Sequence, residues 1–284
     1  MEKNPVVITE INEMKKISRK LKKEGKSIGF VPTMGYLHEG HKSLIRCSIK
    51  ENDITVISIF VNPKQFSPNE DLDKYPRDFE RDLEICRKEK VDYVFYPTFE
   101  EMYPENFQTY VIVEELTKNL CGAYRKGHFK GVTTVVMKLF NIINPDNAYF
   151  GKKDYQQYKV IQRMVKDLNM DVNVVGCPLI REKDGLALSS RNKYLSEEER
   201  KSALSLSKSL FYAKELFKNG ERNVESLKKE MSEMILNYPE VKEIQYIEIV
   251  NPETLKPKET AEEGDIIALA VYVGNTRLID NIQL

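Results

Sequence analysis

The sequence predicts an α/β protein, a doubly wound parallel sheet followed by a smaller α+β domain. Three observations carry that expectation. Residues 53–61 (Asp-Ile-Thr-Val-Ile-Ser-Ile-Phe-Val) form an almost continuous apolar, β-branched run. Strands apolar on both faces belong to parallel sheets covered by helices on each side. Runs of this kind alternate with helical stretches through the first 179 residues, the order that builds βαβ units. After about Leu179 helices come first and adjacent strands follow, which suggests a separate α+β unit. The expected domains are therefore 1–179, a Rossmann-like domain, and 180–284, a smaller lid.

Each element has its own warrant. In 10–24, Ile11, Met14, Ile17 and Leu21 recur at helical spacing. Lys15, Lys16, Arg19, Lys20, Lys22 and Lys23 between them are the solvated face, and Gly25 ends the helix. A buried strand over 27–31 runs into Pro32-Thr-Met-Gly35, and a helix starts near Gly40 and carries Leu44, Ile45 and Ile49. The apolar run 53–61 is the next strand, and a Pro-rich loop over 62–76 follows it. Residues 77–90 form an amphipathic helix with Phe79, Leu83 and either Ile85 or Cys86 inward, and 91–96 form the third strand. Helices over 131–143 and 154–168 alternate with strands over 148–150 and 172–175. In the second domain Ser196 caps three glutamates, a strong helix start. That helix runs through Leu204, Leu206, Leu210 and Leu216 to Gly220, and a second covers 224–236. Strands over 244–250, 266–273 and 276–282 complete the domain.

Composition narrows the function classes. The 284 residues are 41% hydrophobic and 31% charged, an ordinary globular balance. Lys+Arg and Asp+Glu are 44 each, which removes the electrostatic warrant for a dedicated nucleic-acid binder. The longest apolar run, 266–273, is far short of the roughly 18 residues of a membrane span. The first residues carry no apolar stretch with a cleavage site, so no secretory leader is expected. Cys47, Cys86, Cys121 and Cys177 form no Cys-x-x-Cys pair. They read as reduced cytosolic thiols, and the expected location is the cytoplasm.

The strongest local signal is Pro32-Thr-Met-Gly-Tyr-Leu-His-Glu-Gly-His41, placed where the first parallel strand ends and a helix begins. That is the ligand crevice of an open α/β sheet, facing a helix N-terminus with unpaired N–H groups. Gly35 permits a tight turn, Gly40 permits close backbone approach, and His38 and His41 can donate to phosphate oxygens. The helix end contributes about 0.3–1 kcal/mol per anionic group, so side chains must add to it. Zinc held by His38, His41 and His128 fits a Gly-interrupted turn less well, and a purely structural pair is the blander alternative. Neither a P-loop nor Gly-x-Gly-x-x-Gly is present, which argues against an ordinary kinase and a dinucleotide dehydrogenase.

His-x-Gly-His after the first strand, with a second phosphate-binding loop much later, resembles the nucleotidyltransferase superfamily. The likeness is closer still when six ordered motifs are set together. These are Pro32-Thr-Met-Gly…His38-Glu-Gly-His41, Phe60-Val-Asn-Pro-Lys-Gln-Phe66, Tyr75-Pro-Arg77, Arg125-Lys-Gly-His-Phe129, Phe150-Gly-Lys-Lys-Asp-Tyr-Gln-Gln157 and Gly185-Leu-Ala-Leu-Ser-Ser-Arg-Asn192. Together they resemble the pantoate–β-alanine ligase family across essentially the whole chain. Lys126 departs from the proline common there, and Tyr36 from a smaller residue.

The resemblance implies ATP-dependent amide formation through pantoyl adenylate, with Mg²⁺ on the phosphates, in a cytoplasmic homodimer. It implies that Met34, Gly35, Tyr36, Leu37, His38, Glu39, Gly40 and His41 line the ATP site, with His41 as proton donor. Gly151, Lys152, Lys153 and Asp154 contact the nucleotide, Ile180 borders adenine, and Leu188, Ser189, Ser190 and Arg191 close over the phosphates. His38, Lys153, Ser189, Ser190 and Arg191 join His41 as catalytic residues. Gln65 and Gln157 hold pantoate, and the metal ligands stay unassigned. The residue types suit these roles: a compact ammonium, a bidentate guanidinium and short hydroxyl donors stabilise charge that builds on phosphate. Neutral amides can bind a hydroxyl-rich acid without burying a further charge. Asp154 reads either as a ribose acceptor or as a helix N-cap. Arg125 and His128 read as anion contacts or as loop structure, and Tyr75 and Asn62 are left equally open. The rival readings are a nucleotidylyltransferase acting on a phosphorylated acceptor and a non-catalytic nucleotide- or RNA-binding module.

Overall fold

The structure is a computed structural model that describes residues 4–68 and 70–284. Residues 1–3, part of the leader expectation, and Asn69, in the 62–76 loop, lie outside the described residues. Two compact units emerge. The first comprises the described residues up to Val113 together with Arg125–Lys152 and Gln157–Pro178; the second comprises Glu114–Tyr124, Lys153–Gln156 and Leu179–Leu284.

The first unit is built from β1 (Val6–Ile8), α1 (Ile11–Lys23), β2 (Ile28–Thr33), α2 (Glu39–Glu51), β3 (Ile54–Ile59), α3 (Phe79–Lys88), β4 (Tyr93–Phe95) and α4 (Phe99–Met102). The short α5 (Cys121–Tyr124) belongs to the second unit, and the first resumes with α6 (His128–Ile143), β5 (Asn147–Gly151), most of α7 (Tyr155–Asp167) and β6 (Asn173–Cys177). All six strands are parallel, in the order β1-β4-β3-β2-β5-β6. Strand order reverses between β2 and β5, so the crevice outside their carboxyl ends is the topological switch point.

Alternation along the strands sorts the core into two layers. Ile28, Phe30, Val56, Phe95, Ala148, Phe150 and Val174 face α1, α6 and α7. Val31, Ile57, Ile59, Val94, Tyr149 and Cys177 face α2 and α3. This two-sided burial explains why the strands read as continuous apolar runs. The sequence reading passed over β1: three residues at the sheet edge, with Val6 and Val7 exposed, leave no periodic signal. α1 ends as expected, with Gly25 at φ +72° and Lys26 N–H donating to Leu21 O at 3.0 Å.

In the second unit α8 (Glu197–Lys218) and α9 (Val224–Leu236) share one apolar core with the antiparallel sheet β7 (Val241–Val250), β8 (Ile266–Val273) and β9 (Thr276–Gln283). α8 opens on a capping box in which Ser196 N–H donates to Glu199 Oε2 at 2.8 Å and Glu199 N–H donates to Ser196 Oγ at 3.2 Å. Two short segments from earlier in the chain belong here. Gln156 Nε2 donates to Leu116 O and Asn119 O at 2.9 and 2.7 Å. Asn119 Nδ2 donates to Leu255 O at 3.1 Å, and Tyr155 Oη donates to Pro252 O at 3.3 Å. Among the described residues no helix is long and apolar enough to cross a membrane.

One glycine of the first unit is fixed by close packing. Gly131 of α6 lies against the 3₁₀ turn Pro63–Gln65, and a Cβ there would run into the Lys64 carbonyl and sit 2.6 Å from Gln65 Cα. Gly131→Ala is therefore expected to lose about 1–3 kcal/mol through overpacking, read as a lower urea midpoint at unchanged m-value.

Candidate active site

The switch-point loop after β2 is set by α3. Asp82 is 1% exposed and accepts from Tyr36 N–H at 2.6 Å and Leu37 N–H at 2.7 Å. Arg81 Nη2 donates to Leu37 O at 2.8 Å, and its guanidinium lies 4.7 Å from the Tyr36 ring centroid. These contacts hold Gly35 at φ +85° and Tyr36 at φ +51°, the second in a region that costs a non-glycine residue roughly 1–2 kcal/mol. Burial pushes the Asp82 carboxyl above the usual carboxylate range, against the pull of the two amide donors. The Leu37 side chain is fully buried in the core under α2, so it is not presented to a ligand.

Next come the two histidines. His38 is the N-cap of α2 and forms a capping box with His41. Gly40 N–H donates to His38 Nδ1 at 3.2 Å, and His38 N–H donates to His41 Nδ1 at 3.2 Å. A backbone amide only donates, so both Nδ1 atoms act as acceptors and carry no proton; each ring keeps its proton on Nε2. The rings lie 4.1 Å apart, centroid to centroid. The arrangement gives two neutral Nε2–H donors at the N-terminus of a thirteen-residue helix, suited to anionic oxygens. Glu39 is engaged elsewhere: its carboxylate pairs with Lys42 at 3.1 Å and with Arg46. Those partners outweigh its partial desolvation and hold it below the usual range.

Gln65 is equally well fixed. Asn62, 1% exposed, donates from Nδ2 to Gln65 Oε1 at 3.0 Å and to Gly131 O at 3.2 Å. Tyr103 Oη donates to Asn62 Oδ1 at 2.9 Å, and Gln65 Nε2 donates to Met34 Sδ at 3.2 Å. His128 Nδ1 meets Gln65 O at 2.9 Å, and Arg125 Nη1 meets His128 Nε2 at 3.0 Å. Since arginine only donates, His128 Nε2 accepts and Nδ1–H donates to the Gln65 carbonyl. Arg125 in turn makes a bidentate pair with Glu70 at 2.6 and 2.8 Å. Burial acts to raise the Glu70 carboxyl, yet the Arg125 guanidinium wins and holds it below the usual range. Arg125 and His128 thus support Gln65. Tyr75 is buried edge-on against Phe66, 5.9 Å between centroids. Gln157 is half-buried in the first turn of α7. Gly151 ends β5, beside β2 in the sheet, and Lys152 follows it.

The remaining expected residues fall in the second unit. Lys153 and Asp154 close a 3₁₀ turn, Lys152–Asp154, that runs straight into α7. Lys153 Nζ lies 3.7 Å from Asp154 Oδ2. Ile180 O accepts from Leu188 N–H at 3.0 Å across a tight loop. Glu182 and Asp184 of that loop pair with Arg200 at 2.9 and 2.6 Å. Ser189 caps the 3₁₀ helix Ser190–Tyr194 by accepting from Arg191 N–H at 3.2 Å, and Ser190 is buried.

Asp82, Arg81 and Tyr103 escaped the sequence reading. Their partners lie 41 to 46 positions away in the chain, and a carboxylate on an amphipathic helix looks like surface. The one available cue was that Asp82 stands beside Leu83 on the inward side.

An open parallel sheet with its order reversed beside β2, and a His-x-x-His pair capping the helix that follows, makes this a doubly wound, Rossmann-like α/β domain with a helix N-terminus at its switch point. Residues 6–283 match the pantoate-beta-alanine ligase family, and the chain belongs to that family. It is 65% identical over 277 residues to a pantothenate synthetase of Sulfurihydrogenibium, covering 98% of this chain and 99% of the relative. Identity is 62% to the pantothenate synthetase of Caldicellulosiruptor bescii, with 98% of each chain covered. Among solved structures, the pantothenate synthetase of Thermus thermophilus superposes with TM-score 0.92 at 46% identity, covering 98% of this chain and 99% of that one. The pantoate–β-alanine ligase of Francisella tularensis, described as complexed with β-γ ATP and β-alanine, gives 0.81 at 36% identity, with 98% and 97% covered.

Because Asp82 both fixes the Tyr36 turn and is itself buried, Asp82→Asn places an amide N–H₂ against backbone donors. We expect a loss of about 1–3 kcal/mol in thermal or urea unfolding together with weakened nucleotide binding by calorimetry. Unchanged nucleotide affinity in a folded variant would show that the turn does not need its clamp.

Proposed function

We propose that this chain condenses pantoate with β-alanine at the expense of ATP, giving pantothenate, AMP and pyrophosphate. The observation that carries the reading is the family match over residues 6–283. In the first step a pantoate carboxylate oxygen attacks the α-phosphorus of ATP; the bond to the bridging oxygen breaks and pyrophosphate leaves. In the second, the β-alanine amine attacks the acyl carbon of pantoyl adenylate, the acyl–oxygen bond breaks, and AMP leaves with that oxygen while the amine loses a proton.

The assigned roles follow the chemistry of the groups. His38 and His41 donate their Nε2–H protons as hydrogen bonds to phosphate oxygens as charge builds there, with His41 the principal donor; a preorganised donor stabilises the transition state without reorganising. The backbone of Met34, Gly35, Tyr36, Leu37, Glu39 and Gly40 borders the nucleotide, as do Gly151, Lys152 and Asp154. Lys153 and Arg191 supply positive charge and Ser189 and Ser190 hydroxyls for the phosphates, over which Leu188 closes with them, while Ile180 borders the adenine. Gln65, with its amide oriented by Asn62 and its backbone by His128, binds pantoate together with Gln157. The acyl-transfer step asks mainly for alignment, which can contribute roughly 7–11 kcal/mol.

Mg²⁺ is assigned as part of the substrate, carried on the ATP phosphates. Among the described residues no group of three or more His, Cys, Asp or Glu is placed to hold a metal, and both Asp82 oxygens are taken by backbone amides. The unpaired state of all four cysteines agrees with a cytoplasmic setting, and the family resemblance is the support for a homodimer.

The deciding assay follows AMP and pyrophosphate release from ATP, Mg²⁺ and pantoate, with and without β-alanine. Pantoate alone should drive pyrophosphate exchange, and β-alanine should add AMP and pantothenate. His41→Ala should slow adenylation by at least about 10²-fold, and Gln65→Ala should raise the pantoate KM far more than that for ATP. Exchange driven instead by a phosphorylated acceptor would overturn the reading.

A further inference from the structure

Within the second unit, Lys153 is held by the last strand of the chain. Asn281 Nδ2, on β9, donates to Lys153 O at 2.8 Å. Asn281 is itself braced on both sides of its backbone. Its N–H donates to Asp280 Oδ1 at 2.7 Å, and its carbonyl accepts from Arg181 Nη2 at 3.3 Å.

Asp280, 3% exposed, takes a bidentate pair from Arg181 at 2.6 and 2.9 Å. Arg181 also donates to Gly185 O at 3.0 Å, and its guanidinium lies 5.1 Å from the Phe211 ring centroid. Burial raises the Asp280 carboxyl, while Arg181 and the Lys153 charge act the other way. The Lys153 ammonium is therefore within electrostatic reach of Asp280, as well as 3.7 Å from Asp154.

A buried ion pair contributes little net stability compared with apolar packing. What this one does is lock the residue whose amide grips the Lys153 backbone. We infer that Asn281, braced by the Asp280–Arg181 pair, is the positioning residue for Lys153 in the adenylation step; this rests on the assignment of Lys153 made above. An ammonium that must meet developing phosphate charge tolerates little displacement, since a shift of about 1 Å can cost on the order of 10²-fold. Asn281 acts through Lys153 and touches no substrate in this scheme.

The test compares pantoate-dependent ATP–pyrophosphate exchange in the full-length wild type, Asn281→Leu, Asn281→Gln, Lys153→Ala and the Asn281→Leu/Lys153→Ala double variant. Asn281→Leu should lower the exchange kcat by about 10- to 100-fold while leaving the pantoate KM near that of wild type. Asn281→Gln, which keeps the amide donor, should recover part of the loss. In the Lys153→Ala background the leucine should cost less than about 2-fold, as residues acting as one unit are not additive. An equal loss in both backgrounds overturns the inference and makes Asn281 merely structural. A wild-type rate for Asn281→Leu beside an impaired Lys153→Ala overturns it too and leaves the Lys153 assignment standing. A wild-type rate for Lys153→Ala overturns that assignment first and the inference with it. Asn281→Ala serves the same comparison if the leucine variant fails to fold.

Discussion

Two backbone amides at the start of one helix set the terms for the first unit. By donating to the Nδ1 atoms of His38 and His41, they choose the tautomer of each ring and present Nε2–H donors without any net charge. A neutral donor pair can sit at a helix N-terminus without repelling its partial positive charge, which an imidazolium pair would do. The arrangement depends on the turn just before it, and that turn depends on α3. Asp82 and Arg81 clamp opposite polarities of the same two-residue stretch, Tyr36–Leu37. The chain of dependence thus runs from a helix pattern at 77–90, through a strained tyrosine, to the chemistry of two imidazoles. Backbone strain of this kind persists only where its surroundings over-determine it.

Much of the fold was legible because burial writes a period into sequence. The parallel strands appeared as β-branched runs and the long helices as 3.6-residue repeats, and the change of grammar near Leu179 marked the start of the α8–β9 segment. What escaped was short or remote. β1 has three residues and an exposed edge, too few to show alternation. The two segments 114–124 and 153–156 are joined to each other by Gln156 and to the rest of the second unit by remote contacts such as those of Asn119, Tyr155 and Asn281, and no local pattern encodes them.

The candidate site divides in the same way. Its glycines and the His38–His41 pair could be read, because helix N-termini and tight turns have residue preferences that work locally. Arg125 and His128 could be seen but not interpreted: their meaning lies in Glu70, 55 positions before Arg125, and in the Gln65 carbonyl. Likewise Asp280 and Asn281 read only as polar residues in a strand, since their partners Arg181 and Lys153 are 99 and 128 positions away. Charge balance over the whole chain was informative about partners in bulk and silent about these paired networks.

The interleaving of the two units has a practical corollary for anyone dividing the gene. A cut at the 179/180 junction yields no intact half. The C-terminal fragment would lack Cys121, which meets Tyr246 Oη at 3.2 Å in a buried contact, and the turn that Asn281 grips. The N-terminal fragment would carry those pieces with their hydrogen-bonding complements missing. Split-protein complementation or isotope labelling by segment would therefore need breakpoints chosen around 114–124 and 153–156 rather than at the obvious seam.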